Sequence, residues 1–463
     1  MAPSTRVPGY AAAGAGGSAR SASAFATAGG ARLLLLLLSS AWLTAGVCVG
    51  DSAGDAGGEP SRATGAAATT ESRLWLEGSL DLGTTVGGGG GERLNTLIRG
   101  DSNFDDIRLR LFLDVEVTPR LTLFNQFMID PSVEVFPESF LRSYARWEAA
   151  SWDGGEVLLQ AGKIPTPFGS FAPRAYSDRN PLIGTPLLYH YFTALRANQL
   201  PADNRDLLAH RGEGQPADFG GFAGGGAERP FSGLPLIYDA CWDVGIAAIG
   251  SAGPWEYQLA VTRGTLSSPR FRGDDNNDGE QLALRLAWVA APGLLIGSSW
   301  ARGPYLDRAV EPAVRARGAA LEDFEQQIWG LDVDYGVGHL RVVAELAQNR
   351  WQVPTIRAAG GGLEPLEVVG GYLEARYAIR AGLWGGLRYD RLDFGRIDDG
   401  TGGGRRTPWE ADVERWEAGV GYAFTDRVLG KLVWQQTRRS APAALDDGFL
   451  AVQLTSTFGG VRP

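Results

Sequence analysis

The sequence predicts an all-β protein: a transmembrane antiparallel β-barrel of sixteen strands, with short periplasmic turns and long extracellular loops. Three observations predict it. Segments of about ten residues alternate apolar and polar side chains, the period of an extended strand. The connections between them alternate between tight and long, as they do in barrels that cross an outer membrane. The composition joins 65 Gly, 14 Trp, 13 Tyr and 19 Phe to a mean hydropathy of -0.11. That is too polar for a helical membrane protein and ordinary for strands that are apolar on one face only.

Before the first strand the chain has two segments of different character. Arg6, Arg20 and Arg32 are the only charges in residues 1–50, and Arg32 directly precedes the apolar run LLLLLLSSAWLTAGVCVG. A basic start, an apolar run and small residues near Gly46 or Gly50 read as a secretory signal over 1–50. The run approaches the length of a membrane helix, but no second span follows and the next residues are polar. Residues 51–71, DSAGDAGGEPSRATGAAATTE, are small, polar and aperiodic, a flexible periplasmic tether. Cys48 falls in the signal, which leaves Cys241 alone, so neither an internal disulfide nor a paired-cysteine metal motif is expected. The formal net charge of -10, without a basic stripe, argues against nucleic acid as a partner.

Alternation is plainest in Ile107-Arg-Leu-Arg-Leu-Phe-Leu-Asp-Val-Glu-Val117, where every odd position is aliphatic. It returns at 282–288, 340–346 and 416–424. Strands are expected at about 72–82, 104–117, 121–130, 140–149, 156–164, 239–250, 255–264, 279–290, 293–302, 325–335, 338–351, 366–379, 381–393, 411–424, 427–439 and 447–458. The barrel therefore spans 72–458, and 459–463 is a short extension. Short connections fall at Thr118-Pro-Arg120, Ser251–Pro254, Ala291–Gly293, Gly336-Val337, Arg380 and Thr425–Arg427. Long ones fall at 83–103, 131–139, 165–238, 265–278, 303–324, 352–365, 394–410 and 440–446. Trp288, Tyr422 and Phe424 share the apolar parity beside short turns, where an interfacial aromatic girdle sits.

The last strand, Phe449-Leu-Ala-Val-Gln-Leu-Thr-Ser-Thr-Phe458, alternates and ends on Phe, and so resembles the assembly signal of outer-membrane proteins; here Gly459–Pro463 follows it. With the signal and tether, this resembles bacterial outer-membrane porins. More narrowly, GKIPTPFG after a strand, YDACWDVG at 238–245, and DDNNDG before Glu280-Gln-Leu-Ala-Leu-Arg285 resemble the phosphate-selective porin O/P-type family. The resemblance implies a channel in the bacterial outer membrane, commonly a homotrimer, through which small hydrophilic solutes diffuse. Its partners would be outer-membrane lipid and lipopolysaccharide, and small solutes or anions.

If the polar parity faces inward, Arg108 and Arg110, Arg142 and Arg146, Arg285, Arg341, Arg376 and Arg415 line the interior. The same wall carries Asp114, Glu116, Glu148, Asp243, Asp332, Asp334, Glu345, Glu374 and Glu417. Two readings stay open: an arginine ladder that favours phosphate-like anions, or arginines neutralised by neighbouring carboxylates. The long 165–238 connection opens with QAGKIPTPFGSF, a strand stopped by Pro165 and Pro167. By the porin resemblance it folds inward over 165–200 as a constriction, with Lys163, Arg174, Arg179 and Arg196 as lining candidates beside Asp178, Asp203 and Asp206.

Asp274-Asp-Asn-Asn-Asp-Gly279 matches the start of a calcium loop through Asp274, Asn276 and Asp278, but Arg285 stands where a bidentate Glu belongs, so a solvated turn is the preferred reading. No cofactor is expected. His190, His210 and His339 are far apart, no G-x-S-x-G occurs, and Cys241 lacks a nearby base, so no enzyme is expected. The alternative to a channel is an occluded barrel whose loops bind or adhere.

Overall fold

The computed structural model describes residues 73–86, 94–95, 103–104, 107–129, 140–214, 221–227, 233–239, 242–270, 273–440 and 447–459. The expected signal and tether, Cys241 and residues 460–463 lie outside them.

Strands β1 (Arg73–Val86), β2 (Ile107–Thr118), β3 (Leu121–Ile129), β4 (Phe140–Trp152) and β5 (Gly155–Pro165) lead to the long connection. After it come β6 (Trp242–Ala252), β7 (Trp255–Thr262), β8 (Gln281–Ala291), β9 (Leu294–Pro304), β10 (Glu325–Val337), β11 (Leu340–Trp351), β12 (Leu366–Arg380) and β13 (Leu383–Phe394). A loop hairpin, β14 (Arg396–Asp398) with β15 (Arg406–Pro408), precedes β16 (Val413–Ala423), β17 (Val428–Arg439) and β18 (Asp447–Gly459). All but the hairpin form one closed antiparallel barrel, each strand bonded to its sequence neighbours and β1 to both β2 and β18. The sixteen expected strands are all present, their ends displaced by no more than four residues. Strand β10 runs on through Val337, so the next turn falls at Gly338–His339 rather than at Gly336-Val337.

Physical chemistry fixes the orientation of each face. Along β10 the residues Trp329, Leu331, Val333, Tyr335 and Val337 are exposed, while Ile328 and Asp332 on the other parity are buried. The outward set is an apolar belt edged by aromatics, the surface a barrel needs in lipid, where a mid-bilayer Arg or Lys costs about 2–4 kcal/mol. At the turn rim Tyr422 meets Phe424 edge-on at 5.1 Å and Trp255 stacks on Trp288 at 6.0 Å. Five two-residue turns place a glycine at positive φ: Gly154, Gly253, Gly293, Gly338 and Gly382. At Gly253 and Gly338 the positive φ falls on the first turn residue, as in a type II′ turn, whose twist matches that of the flanking strands.

The seam closes on Gly78, which pairs directly with Phe458. A Cβ on Gly78 would lie 2.3 Å from the Phe458 ring, so the terminal aromatic seats on a residue that leaves room for it. Phe458→Ala should weaken closure by an amount on the order of 1 kcal/mol, since the ring is half exposed. Gly78→Leu should do so more strongly by filling the seat. The fraction of heat-modifiable barrel in unheated gels measures both; an unchanged fraction in each variant would mean the seam closes without this contact.

Candidate functional site

Strand β5 ends where Pro165 pairs with Trp242 of β6, and the chain then turns into the barrel. Residues 166–198 carry short helices only, including α1 (Leu187–His190), and so have few backbone partners of their own. Buried amides and carbonyls must be bonded, and here the wall's charged side chains do it. Glu345 of β11 accepts from Ser170 N at 2.9 Å, and Glu417 of β16 accepts from Ile183 N and Gly184 N at 3.1 and 2.8 Å. Asp390 of β13 takes Leu187 N at 3.1 Å. Lys431 of β17 donates to the Ser177 and Leu182 carbonyls at 2.5 and 2.9 Å, and Arg388 of β13 donates to the Gly184 carbonyl at 2.9 Å.

Close packing accompanies these bonds. Phe168 lies over Gly330 of β10, where a Cβ would come within 2.7 Å of its ring. Gly169, at φ +61°, leaves the space in which the Tyr189 hydroxyl meets Glu345. Phe171, Leu187, Leu188, Tyr189 and Tyr191 join Ile328, Val343, Tyr372 and Leu392 of the wall in one apolar cluster.

Several sequence-derived candidates prove to be paired. Arg110 meets Asp81 at 3.0 Å, Arg174 meets Glu374 at 2.6 Å, and Arg285 meets Asp332 at 2.6 Å, all buried. Arg108 is buried and donates to Asn103 at 2.6 Å, and Arg196 donates to the Glu213 carbonyl at 2.9 Å. Asp178 and Arg179, 3.6 Å apart, stay accessible on the infolded segment, with the Arg179 side chain 60% exposed.

Arg142 and Arg146 differ. Among the described residues neither has a carboxylate partner. Arg142 lies over the rings of Phe112 and Trp242 at 5.4 and 5.7 Å, and Arg146 over Phe124 at 4.5 Å. Phe112 in turn meets Tyr176 edge-on at 5.6 Å, and Arg179 lies 5.4 Å over that same tyrosine ring. Arg142 and Arg179 are thus linked through Phe112 and Tyr176, which joins the connection to the wall, and Arg146 sits on Phe124 and Tyr144, each a favourable cation–π arrangement.

Lys163 stands on strand β5 itself and is buried. It pairs across the ladder with Ser143 and Val244, on the parity opposite to Gln160 and Arg146. Strand alternation therefore removes it from the face that Arg142 and Arg146 share. The calcium candidates are also otherwise engaged: Arg308 donates to Asp278 at 2.6 Å, and Asn276 donates to Asp274 at 2.8 Å. Arg308 thus occupies one of the three candidate side chains, and the described residues hold no group of three or more His, Cys, Asp or Glu placed to share a metal.

Sequence reasoning missed the anchors Asp81, Arg388, Asp390, Glu410 and Lys431. Arg388 links three acids of the wall, bonded to Glu374 at 3.3 Å, to Asp390 at 3.2 Å and to Glu417. Alternation in 383–393 places Arg388 and Asp390 on one face, which was the available signal. Two loop-borne anchors titrate abnormally. His190 is buried beside Arg415, with Nδ1 3.1 Å from the Pro186 carbonyl, and burial together with that guanidinium pushes its pKa down to about 3. Glu410 accepts from Ala194 N at 2.7 Å and from Gly212 N at 2.6 Å, and burial pushes its pKa up to about 7.

No family model matches this chain, and no curated protein does. Solved structures similar to it include OmpF of Salmonella typhi in complex with daunomycin: 12% identity, 84% of this chain and 97% of that one, TM-score 0.49. An anion-selective porin from Comamonas acidovorans is 14% identical, over 84% and 100% of the two chains, with a TM-score of 0.46. The outer-membrane channel DcaP of Acinetobacter baumannii is 13% identical, over 85% and 99%, with a TM-score of 0.45.

The two abnormal groups predict opposite pH slopes. His190 stays neutral when docked, so docking loses stability as pH falls from about 6.5 towards 3. The raised Glu410 works the other way, losing its contribution as pH rises from about 4.5 through 7. Protease cleavage within 166–214 should therefore increase in acid for Glu410→Gln and increase on alkalinisation for His190→Gln. Identical pH profiles in both variants would remove these groups as the source.

Proposed function

We propose that this chain is a passive diffusion channel of the bacterial outer membrane, narrowed by its infolded 166–200 segment and preferring anions. The closed sixteen-strand barrel with an aromatic-edged apolar belt supports the location, since closure is how strands span a bilayer. One observation carries the preference. The wall's acids Asp81, Asp332, Glu374 and Glu417 are held by Arg110, Arg285, Arg174 and Arg388. Arg142 and Arg146, by contrast, have no carboxylate partner among the described residues: Arg142 sits on Phe112, whose neighbour Tyr176 also carries the exposed Arg179, and Arg146 sits on Phe124. Unneutralised arginines at a constriction attract small anions such as phosphate or carboxylates. The trimeric state that the porin resemblance implies belongs to the same reading.

A second reading has an observation in its favour. The apolar cluster that joins the connection to the β8–β16 wall is the kind of mass that occludes a barrel, leaving the outer loops to bind or adhere.

In planar bilayers the channel reading predicts stepwise, ohmic openings and an anion-directed reversal potential in a salt gradient. Replacing Arg142 and Arg146 together by Gln should shift that potential towards cations, and deleting 166–200 should raise single-channel conductance. Cation selectivity that ignores Arg142 and Arg146 would defeat the anion preference. Absence of openings in a folded barrel would favour the occluded reading.

A further inference from the structure

A cleft of about 460 Å³ opens on the outside of the barrel at its loop rim, lined by Arg302, Asp323, Glu325, Gln327, Arg350 and Glu364. Its floor is a ladder row: Arg302 pairs with Gln327, and Gln327 with Arg350. These side chains have the parity of the apolar belt. The next outward row towards the membrane holds Trp300 and Trp329, whose rings lie 5.9 Å apart. The cleft therefore sits one step above an interfacial aromatic pair, at the level where lipid headgroups lie.

Its polar groups are incompletely used. Arg302 bonds Glu325 through Nε at 2.6 Å, and Arg350 meets Glu367 through Nε at 2.9 Å. Among the described residues the Nη groups of both make no hydrogen bond, and the side chains are 54% and 47% exposed. Glu364 is the converse. Its Oε1 takes Arg406, while its Oε2 is buried and has no hydrogen-bond partner. A buried carboxylate oxygen left unbonded is costly, by about 1–3 kcal/mol or more, and calls for a donor.

Two unspent guanidinium ends need an anion with several acceptor oxygens, and a buried acceptor needs an N–H. A phosphate joined to a primary ammonium supplies both, and only an amphiphile would bring them to this height on a lipid-facing wall. We infer that this cleft binds the headgroup of a phosphoethanolamine-bearing lipid, phosphate on Arg302 and Arg350 and ammonium on Glu364, with the acyl chains running down over Trp329. The site needs only the outer face of the barrel and is independent of what passes through it.

The test uses the whole folded chain in detergent, with lipid retention read by native mass spectrometry. Three probes are compared: a phosphoethanolamine lipid, its phosphocholine analogue, which keeps the phosphate and lacks N–H, and a phosphatidic acid. The unmodified protein should hold the phosphoethanolamine lipid about ten-fold more tightly than the phosphocholine lipid, the factor that one good hydrogen bond provides. Glu364→Gln should erase that gap. Arg302→Gln with Arg350→Gln should weaken all three lipids by about ten-fold or more. Equal retention of the three lipids by the unmodified protein overturns the inference whether or not the variants fold, and would leave a rim solvated by water. Retention by folded variants equal to that of the unmodified protein overturns it as well.

Discussion

Every feature of this molecule follows from one constraint: in hydrocarbon no water is present to bond a backbone N–H or C=O, so each must find its partner in the chain. An open sheet would leave two edges unbonded. Strand β1 therefore bonds both β2 and β18, and an even number of antiparallel strands brings the two chain ends to the same rim. Closure then commits alternate side chains to opposite media, oil on Leu331 and Val333, the barrel interior on Asp332. The seat of Phe458 on Gly78 matters because it sits at the seam where the ladder would otherwise open.

The same constraint governs the interior. A segment of thirty or so irregular residues inside a barrel has neither ladder nor bulk water, and would leave amides unpaired at about 1–3 kcal/mol each. The wall answers with charges. Glu345, Glu417 and Asp390 accept backbone N–H groups, and Lys431 and Arg388 donate to backbone carbonyls. Buried carboxylates and guanidinium groups are themselves expensive, which is why they also bond one another; removing one member of such a set costs about 3–5 kcal/mol. Most of the charge inside this barrel therefore serves to hold the infolded segment, and its sign says little about what moves through.

This separation explains what the sequence disclosed. Period-two alternation is a local property, so all sixteen barrel strands were legible from their own residues, including β10 and β11, which are joined by only Gly338–His339. The β14–β15 hairpin was not, because three residues on each side of a Gly-rich tip are too few for a period to register. Inward parity found Arg108, Arg110, Arg142, Arg146 and Arg285 as a set, but partnership is not local. Nothing near Arg174 announces Glu374, 200 residues away, and nothing near Ile183 announces Glu417. Lys163 stands on the strand before that loop, so alternation along β5, not the path of the loop, sets its face.

What distinguishes Arg142 and Arg146 is where they fall around the barrel. On β3–β7 the inward row at mid-height carries Phe124, Gln126, Tyr144, Gln160 and Ala260, none of them acidic. Asp243, nearer the loop rim, is fully engaged, accepting from Val244 N and Gly264 N at 2.8 and 2.7 Å. The arc from β11 through β18 to β1 holds Glu345, Glu374, Asp390, Glu417 and Asp81, which bond the infolded segment. A guanidinium on an aromatic ring keeps its charge and loses little freedom on meeting a solute, whereas one in a buried ion pair must first give up a carboxylate. On the channel reading proposed above, the β3–β7 arc is where an anion meets positive charge at least cost, and the infolded segment brings Arg179, with Asp178 beside it, to that side through Tyr176.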